Sequence, residues 1–230
     1  MWFAPLVQEF NSSRVVAFGG QGYGPLQELM LLRKWKHSAD RIVVQLCSND
    51  ILNSNFELER RTLVQRAPAP RPYLENGEIV YRFPRSFGGL FRFGTSYSWF
   101  LHRQAVRYEM KVAERARNGE LETIENDILR QGFSLALFRD GVRDAARVLA
   151  LMKEEAGERP LVFMLVDDVE PYTRALRDIA RELGVPLLLP VKGFKIPPNY
   201  LLPDGAHLNE EGNQYVGQRT IELGRGAGLW

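Results

Sequence analysis

The chain is short of several things that narrow a function. Among its 230 residues there is one cysteine, Cys47. A disulfide needs two thiols and a Cys-based zinc site needs more, so both are excluded within the chain. Lys and Arg outnumber Asp and Glu by only two, 30 against 28, and they are scattered. Nucleic acid or an anionic membrane would call for clustered positive charge, so neither is an expected partner. No apolar run approaches the roughly 20 residues of a bilayer span. Met1-Trp-Phe-Ala-Pro reads as the start of a helix rather than a signal peptide. As written the chain is expected in the cytoplasm. If an upstream segment is missing, secretion or membrane anchoring becomes the expectation. No internal repeat is present.

What is there suits one large globular domain, residues 1–230, able to bury a substantial core. Apolar residues recur at helical spacing over Trp2–Phe10, Pro25–His37, Ser96–Arg117, Leu135–Glu155, Pro171–Leu183 and Asn209–Leu223. Between them lie short apolar runs read as strands: Arg14–Phe18, Arg41–Leu46, Leu161–Val166 and Val185–Leu189. These runs are continuously apolar rather than alternating. Strands of that kind, separated by helices, predict a parallel sheet covered on both faces. Residues 51–93 read as irregular and rich in Pro, Arg and aromatics, with an insertion at about 56–93. Within it, Asn76-Gly77 between strand formers predicts a hairpin over Tyr73–Tyr81. Long insertions at strand ends commonly shape a pocket mouth, which is the role expected of this one.

Three short motifs follow predicted strands or the loop after one. They are the turn Gly19-Gly20-Gln21-Gly22-Tyr23-Gly24, then Ser48-Asn49-Asp50, then Asp204-Gly-Ala-His207. In a parallel sheet, ligands bind at the carboxyl ends of the strands, so the three can converge on one edge. An Asp and a His three residues apart suit a charge-paired general base. The carboxylate fixes the imidazole tautomer, and the other ring nitrogen is left to take a proton. The plainer readings are that Asp204 closes a turn, His207 caps a helix, Gly22 serves a tight turn, Asn49 makes an Asx turn and Asp50 caps a helix.

In this order the motifs resemble those of the SGNH (GDSL-type) hydrolases, a family of α/β esterases and lipases. The Gly turn is similar to the family's second block, with Gly22 as the oxyanion-hole glycine. Ser48-Asn49-Asp50 is similar to the third block, G-x-N-D, with Asn49 as the oxyanion-hole asparagine and Cys47 where glycine is frequent. Asp204-Gly-Ala-His207 matches the fifth block, D-x-x-H. The resemblance implies an α/β three-layer sandwich with a parallel, flavodoxin-like sheet. It also implies a serine esterase acting on small acyl esters, carbohydrate O-acetyl groups among them. His207 would be the acid/base and Asp204 its orienting partner. No cofactor or metal is implied, and the substrate would be a small molecule or carbohydrate ester.

The family's first block, Gly-Asp-Ser, is absent from the sequence. That block supplies the nucleophilic serine and should precede the helix at Trp2–Phe10. The expectation is therefore a truncated chain, lacking the family's first strand and inactive by itself. Ser12 and Ser13 precede the strand at Arg14–Phe18 and sit at its wrong end. Gly94-Thr-Ser96-Tyr-Ser98 lacks the last glycine of an elbow motif, and Ser96 reads as a helix cap. Cys47 reads as a buried inert thiol. His37 and His102 read as surface or helix-face residues. Asp167-Asp168 suits a metal or, more simply, a cap on the next helix. Arg66, Arg71, Arg82 and Arg85 suit an anionic substrate or a solvated basic loop. A noncatalytic binding or scaffold domain on the same fold is the competing function. Nucleotide binding by Gly19–Gly24 ranks last, because the spacing fits neither G-x-G-x-x-G nor the P-loop.

Overall fold

The structure is a computed structural model. It describes residues 15–19, 22–62, 70–84, 120–192, 197–202 and 208–230, with scattered positions among the first ten residues and between 98 and 118. In chain order the described elements are α1 (Pro25–Trp35), β1 (Ile42–Leu46), α2 (Asn49–Asn53), α3 (Phe56–Glu59), β2 (Arg71–Glu75), β3 (Glu78–Arg82), α4 (Ile124–Gln131), α5 (Ala136–Ala156), β4 (Leu161–Leu165), α6 (Tyr172–Leu183), β5 (Leu187–Leu188) and α7 (Glu210–Gly226). Two compact units emerge from the contacts. Met1–Tyr23, Glu28–Ser48 and Leu149–Trp230 form the first; Gly24–Gln27 and Asn49–Val148 form the second.

The first unit holds a parallel sheet in the order β1-β4-β5. Ile42 pairs with Leu161 and Leu46 with Leu165, while Phe163 and Met164 pair with Leu187 and Leu188. All five residues of β4 are buried. Successive strand side chains point to opposite faces, so β4 is covered on both. This is the mixed α/β arrangement with a parallel sheet that the continuous apolar runs predict. Val162, Met164 and Leu188 form a buried cluster that Leu223 of α7 and the terminal Trp230 pack against. Gly224 makes room for that indole: a Cβ there would lie 1.9 Å from the ring. Sequence punctuation sets the helix ends. Asn209 caps α7 by accepting from the Gly212 N–H at 3.0 Å. Gly184, at φ 64°, ends α6 in the left-handed conformation that favours glycine.

One strand expected in this unit is not found among the described residues. Residues 15–19 carry no strand pairing, and Val16 and Phe18 are 48% and 49% exposed. An apolar run becomes a buried strand only when a neighbour satisfies its backbone groups. Here Phe18 instead stacks on Trp35 of α1, with centroids 5.0 Å apart. The expected β5 is also shorter, two residues rather than five. The expected helices at Trp2–Phe10 and Ser96–Arg117 lie largely outside the described residues.

The second unit contains the β2–β3 hairpin, with Arg71 opposite Arg82 and Glu75 opposite Glu78. Its turn residues Asn76 and Gly77 have φ of 51° and 87°. Both central angles are positive, as a two-residue type I′ hairpin requires, which is why Asn-Gly signals it. Residues 51–62 are more regular than the sequence suggests, since α2 and α3 occupy much of them. Helices of four and five residues are too short to display a 3.6-residue period. Asn55 caps α3 by accepting from the Leu58 N–H at 2.8 Å, and its amide donates to Asp144 of α5 at 2.6 Å. Against α5, Gly141 faces the Ile51 carbonyl and the Leu58 side chain, where a Cβ would stand 3.2 and 2.6 Å away.

Inside this unit sits a buried polar network. Glu59 is fully buried, and Arg71 and Tyr73 are nearly so. Arg71 Nε donates to Glu59 at 3.1 Å and Arg71 Nη1 to Gln27 Oε1 at 3.1 Å. The Tyr73 hydroxyl donates to Glu59 at 2.8 Å. Burial beside the Glu59 carboxylate pushes the Tyr73 phenol well above its ordinary value. Arg71 is therefore neither a solvated basic residue nor available to an anionic substrate, which corrects both expectations for it.

Candidate functional site

The carboxyl ends of β1 and β4 lie side by side, because the two strands run parallel and in register to Leu46 and Leu165. The Val166 N–H donates to the Leu46 carbonyl at 3.0 Å, the final rung between them. Beyond it the strand pairing ends, and a side chain bridges the two segments. Both carboxylate oxygens of Asp167 lie 3.0 Å from the Ser48 N–H, and the Ser48 hydroxyl donates to Asp167 Oδ2 at 2.6 Å. Burial raises the Asp167 pKa, an effect that the bonds from Ser48 oppose and the charge of Asp168 reinforces. Asp167 thus ties two strand ends together. It does not cap the next helix: the N-cap of α6 is Pro171, and no side chain caps there. Among the described residues no group of three or more His, Cys, Asp or Glu is arranged to hold a metal ion.

Asn49 follows Ser48 as the first residue of α2 and is half-buried. No hydrogen bond joins its side-chain amide to another residue among those described, so the Asx-turn reading finds no bond to support it. Asp50, the next residue, is buried. Gly22 is exposed, has φ 76°, and has nothing within 4 Å of where a Cβ would be. Conformation alone selects glycine at that position. Gly24 is a glycine for a different reason. A Cβ there would stand 2.8 Å from Arg71 Nη1 and 2.9 Å from the Asn53 Cβ. The Gly24 N–H donates to Gln27 Oε1 at 3.1 Å, the same oxygen that Arg71 reaches. Gly22 falls in the first unit and Asn49 in the second.

Asp204 and His207 lie outside the described residues, as do Gly20 and Gln21. The chain on either side of the D-x-x-H segment is anchored. Leu201 and Leu208 form an antiparallel bridge, and the Asn209 N–H donates to the Tyr200 carbonyl at 2.9 Å. Ser12, Ser13, Ser96, His102, Arg66 and Arg85 are outside the described residues as well. His37 is exposed, as expected of a surface histidine. Cys47 is half-buried rather than buried, with Gln45 Nε2 4.0 Å from its sulfur.

The hairpin contributes to an open cleft of about 390 Å³ in the second unit, with Phe56, Tyr73, Glu75, Arg82 and Asp144 in its walls. Arg82 is exposed, donates to both carboxylate oxygens of Glu75 at 2.5 and 2.6 Å, and lies 5.4 Å from the Phe56 ring. Sequence reasoning missed the Asp167–Ser48 bond. Its only signal was a pair of acids directly after an apolar strand, which reads equally as a cap. No family model matches the chain, and neither does any curated protein or solved structure.

Proposed function

We propose that the chain belongs to an SGNH-type acyl-ester hydrolase and carries its oxyanion-hole and acid–base elements. The observation that carries this reading is Ser48-Asn49 at the carboxyl end of a parallel strand, with no hydrogen bond to the Asn49 side-chain amide among the described residues. Such strand ends are where open α/β sheets bind ligands. The parallel sheet and its flanking helices also suit a three-layer, flavodoxin-like sandwich.

In this reading the ester carbonyl oxygen gains negative charge as the tetrahedral intermediate forms. The Asn49 amide and the Gly22 N–H donate to it, and a donor of that kind is worth roughly 3 kcal/mol. His207 takes the nucleophile's proton and returns it to the leaving alcohol, while Asp204 holds the imidazole. No residue of the chain is assigned as the nucleophile, and Gly-Asp-Ser does not occur in it.

The test begins with the reading frame upstream of the Met1 codon. If it encodes a strand followed by Gly-Asp-Ser, protein that includes this block should hydrolyse p-nitrophenyl acetate. His207→Ala should then lower kcat by roughly 10²–10⁴-fold. Hydrolysis that survives the substitution, or none from protein that includes the block, overturns the reading. A frame that encodes no such block favours the second reading, a noncatalytic binding domain. The hairpin cleft gives that reading its own support: its walls combine aromatic surface with paired donors and acceptors, and a ligand held there would bind equally well after His207→Ala.

A further inference from the structure

We infer that Asp167 is the residue that positions Asn49, acting through Ser48. The inference rests on the proposed oxyanion role of Asn49. The ladder between β1 and β4 stops at Leu46 and Leu165, so the backbone N–H of Ser48 has no strand partner. The Asp167 carboxylate supplies one at 3.0 Å and takes the Ser48 hydroxyl at 2.6 Å as well. Main chain and side chain of one residue are thus clamped by a single group from the neighbouring strand. That leaves Ser48 little freedom about its backbone angles, and the next residue is Asn49.

A donor to a developing oxyanion contributes only when its position is fixed before the reaction, and a misplacement of about 1 Å can cost 10²-fold in rate. Packing holds α2 from Asp50 to Asn53, but Asn49 is its half-buried first residue, so the segment before it decides where its side chain starts. A rigid anchor immediately before it fixes the one α2 residue that the packing of the helix leaves half-buried. A carboxylate is the acceptor suited to this task. It accepts from an N–H and an O–H at once, and bonds to an ionised acceptor are roughly twice as strong as neutral ones. The Ser48 hydroxyl is consumed by the clamp, which makes Ser48 an anchor and not a nucleophile.

The test is ¹⁵N relaxation on the full 230-residue chain, comparing the parent with Asp167→Ala, Asp167→Asn and Ser48→Ala. In Asp167→Ala, at a temperature where it is folded, the order parameter of the Asn49 backbone amide should fall from about 0.85 to below about 0.6. The Asn49 side-chain amide should lose order with it, while β1 and β4 stay rigid. Asp167→Asn keeps an acceptor for the Ser48 N–H and should restore most of that order. Ser48→Ala keeps only the backbone bond and should fall between. If Asp167→Ala does not fold, the other two variants decide: order at Asn49 unchanged from the parent in Ser48→Ala overturns the inference. So does an Asp167→Ala protein that melts earlier yet keeps Asn49 ordered, since a purely structural role would do that. The esterase assay fails or succeeds separately. Loss of order at Asn49 with no hydrolysis leaves the clamp standing and removes the proposed function. Hydrolysis with Asn49 equally ordered in every variant does the reverse. In hydrolysing protein, Asp167→Ala should lower kcat by about 10²-fold and leave KM nearly unchanged.

Discussion

The two units treat a carboxylate drawn out of water in opposite ways: Asp167 of the first is half-buried, Glu59 of the second fully buried. In the first, a strand of five buried apolar residues forms the centre of the sheet, and Asp167 makes no ion pair among the described residues. Its carboxylate accepts from the Ser48 N–H and hydroxyl and from its own backbone N–H, and its pKa rises with burial. In the second, Glu59 is buried completely and meets a guanidinium and a phenol. A sheet specified by apolar burial is insensitive to the identity of any one polar partner. A hairpin docked through an ion pair depends on both members being present. A buried pair adds little net stability, because desolvation offsets the attraction, but removing one partner strands the other charge.

The largest effect expected from this contrast is at Glu59. Glu59→Ala should destabilise the protein by about 3–5 kcal/mol, because it leaves Arg71 buried without its carboxylate. Replacing the network as a whole, Glu59→Leu with Arg71→Met and Tyr73→Phe, should recover most of that loss. In the first unit Phe163→Ala should cost a comparable 3–5 kcal/mol, and no second substitution at a polar residue should rescue it. Urea unfolding of the variants checks all of these. A single substitution at Glu59 costing less than about 1 kcal/mol would break the comparison, since it would mean the pair carries no dependence.

A smaller effect separates two helical glycines, one from each unit. Ala at an ordinary helix interior gains up to about 1 kcal/mol over Gly. At Gly141 the new methyl group meets the Ile51 carbonyl and Leu58, both held by packed structure. Gly141→Ala should therefore destabilise by about 1–3 kcal/mol. At Gly224 the obstacle is the ring of Trp230, half-buried and outside any helix or strand, whose indole donates to the Ile221 carbonyl at 3.2 Å. A half-buried ring outside regular structure can swing away more easily than a packed carbonyl. Gly224→Ala should cost less than Gly141→Ala and should shift tryptophan emission toward that of an exposed indole. Equal losses at the two sites would mean that the Trp230 ring is as firmly seated as the α2–α3 segment.

The contrast between the units also explains what could be read in the sequence. The strands at 42–46 and 161–165, the helices α1, α5, α6 and α7, and the Asn76-Gly77 turn all leave local signatures: continuous apolar runs, helical spacing, or a φ requirement. Arg71 and Glu59 left none. They are 12 residues apart, and two charges in a polar stretch look like solvated loop until the chain folds them together. Val15–Phe18 failed for the opposite reason. It carries the local signature of a strand, and no described neighbour pairs with it. At the candidate site, Gly22 and Asn49 were legible as a turn glycine and a strand-end asparagine. Asp167 was not, because a hydrogen bond spanning 119 residues follows from the strand order β1-β4. A pair of acids after a strand does not reveal which strand lies beside it.

The smallest effects are in pH dependence, and their signs differ between the units. The Asp167 pKa is raised in the folded state, chiefly by burial. The folded protein then holds this proton more tightly than the unfolded chain does. The stability contribution is full below the ordinary aspartate value of about 3.9 and is lost as pH rises through the raised value. Glu75, on the hairpin, is the reverse case. The hydrogen bonds from Arg82 lower its pKa, so its contribution is present above the ordinary glutamate value of about 4.3 and is lost as pH falls through the lowered one. Denaturant midpoints across pH 2.5–7 for the parent, Asp167→Asn and Glu75→Gln should show this. (These pH limits are about the range in which carboxylates titrate.) Relative to the parent, Asp167→Asn should improve as pH rises and Glu75→Gln should worsen. Because Glu75 sits at the surface, 31% exposed beside the exposed Arg82, its slope should shrink in high salt, while that of Asp167, set by burial, should persist. Two slopes of the same sign would mean that burial does not dominate at Asp167, and the distinction between a desolvated and an ion-paired carboxylate would no longer separate the units.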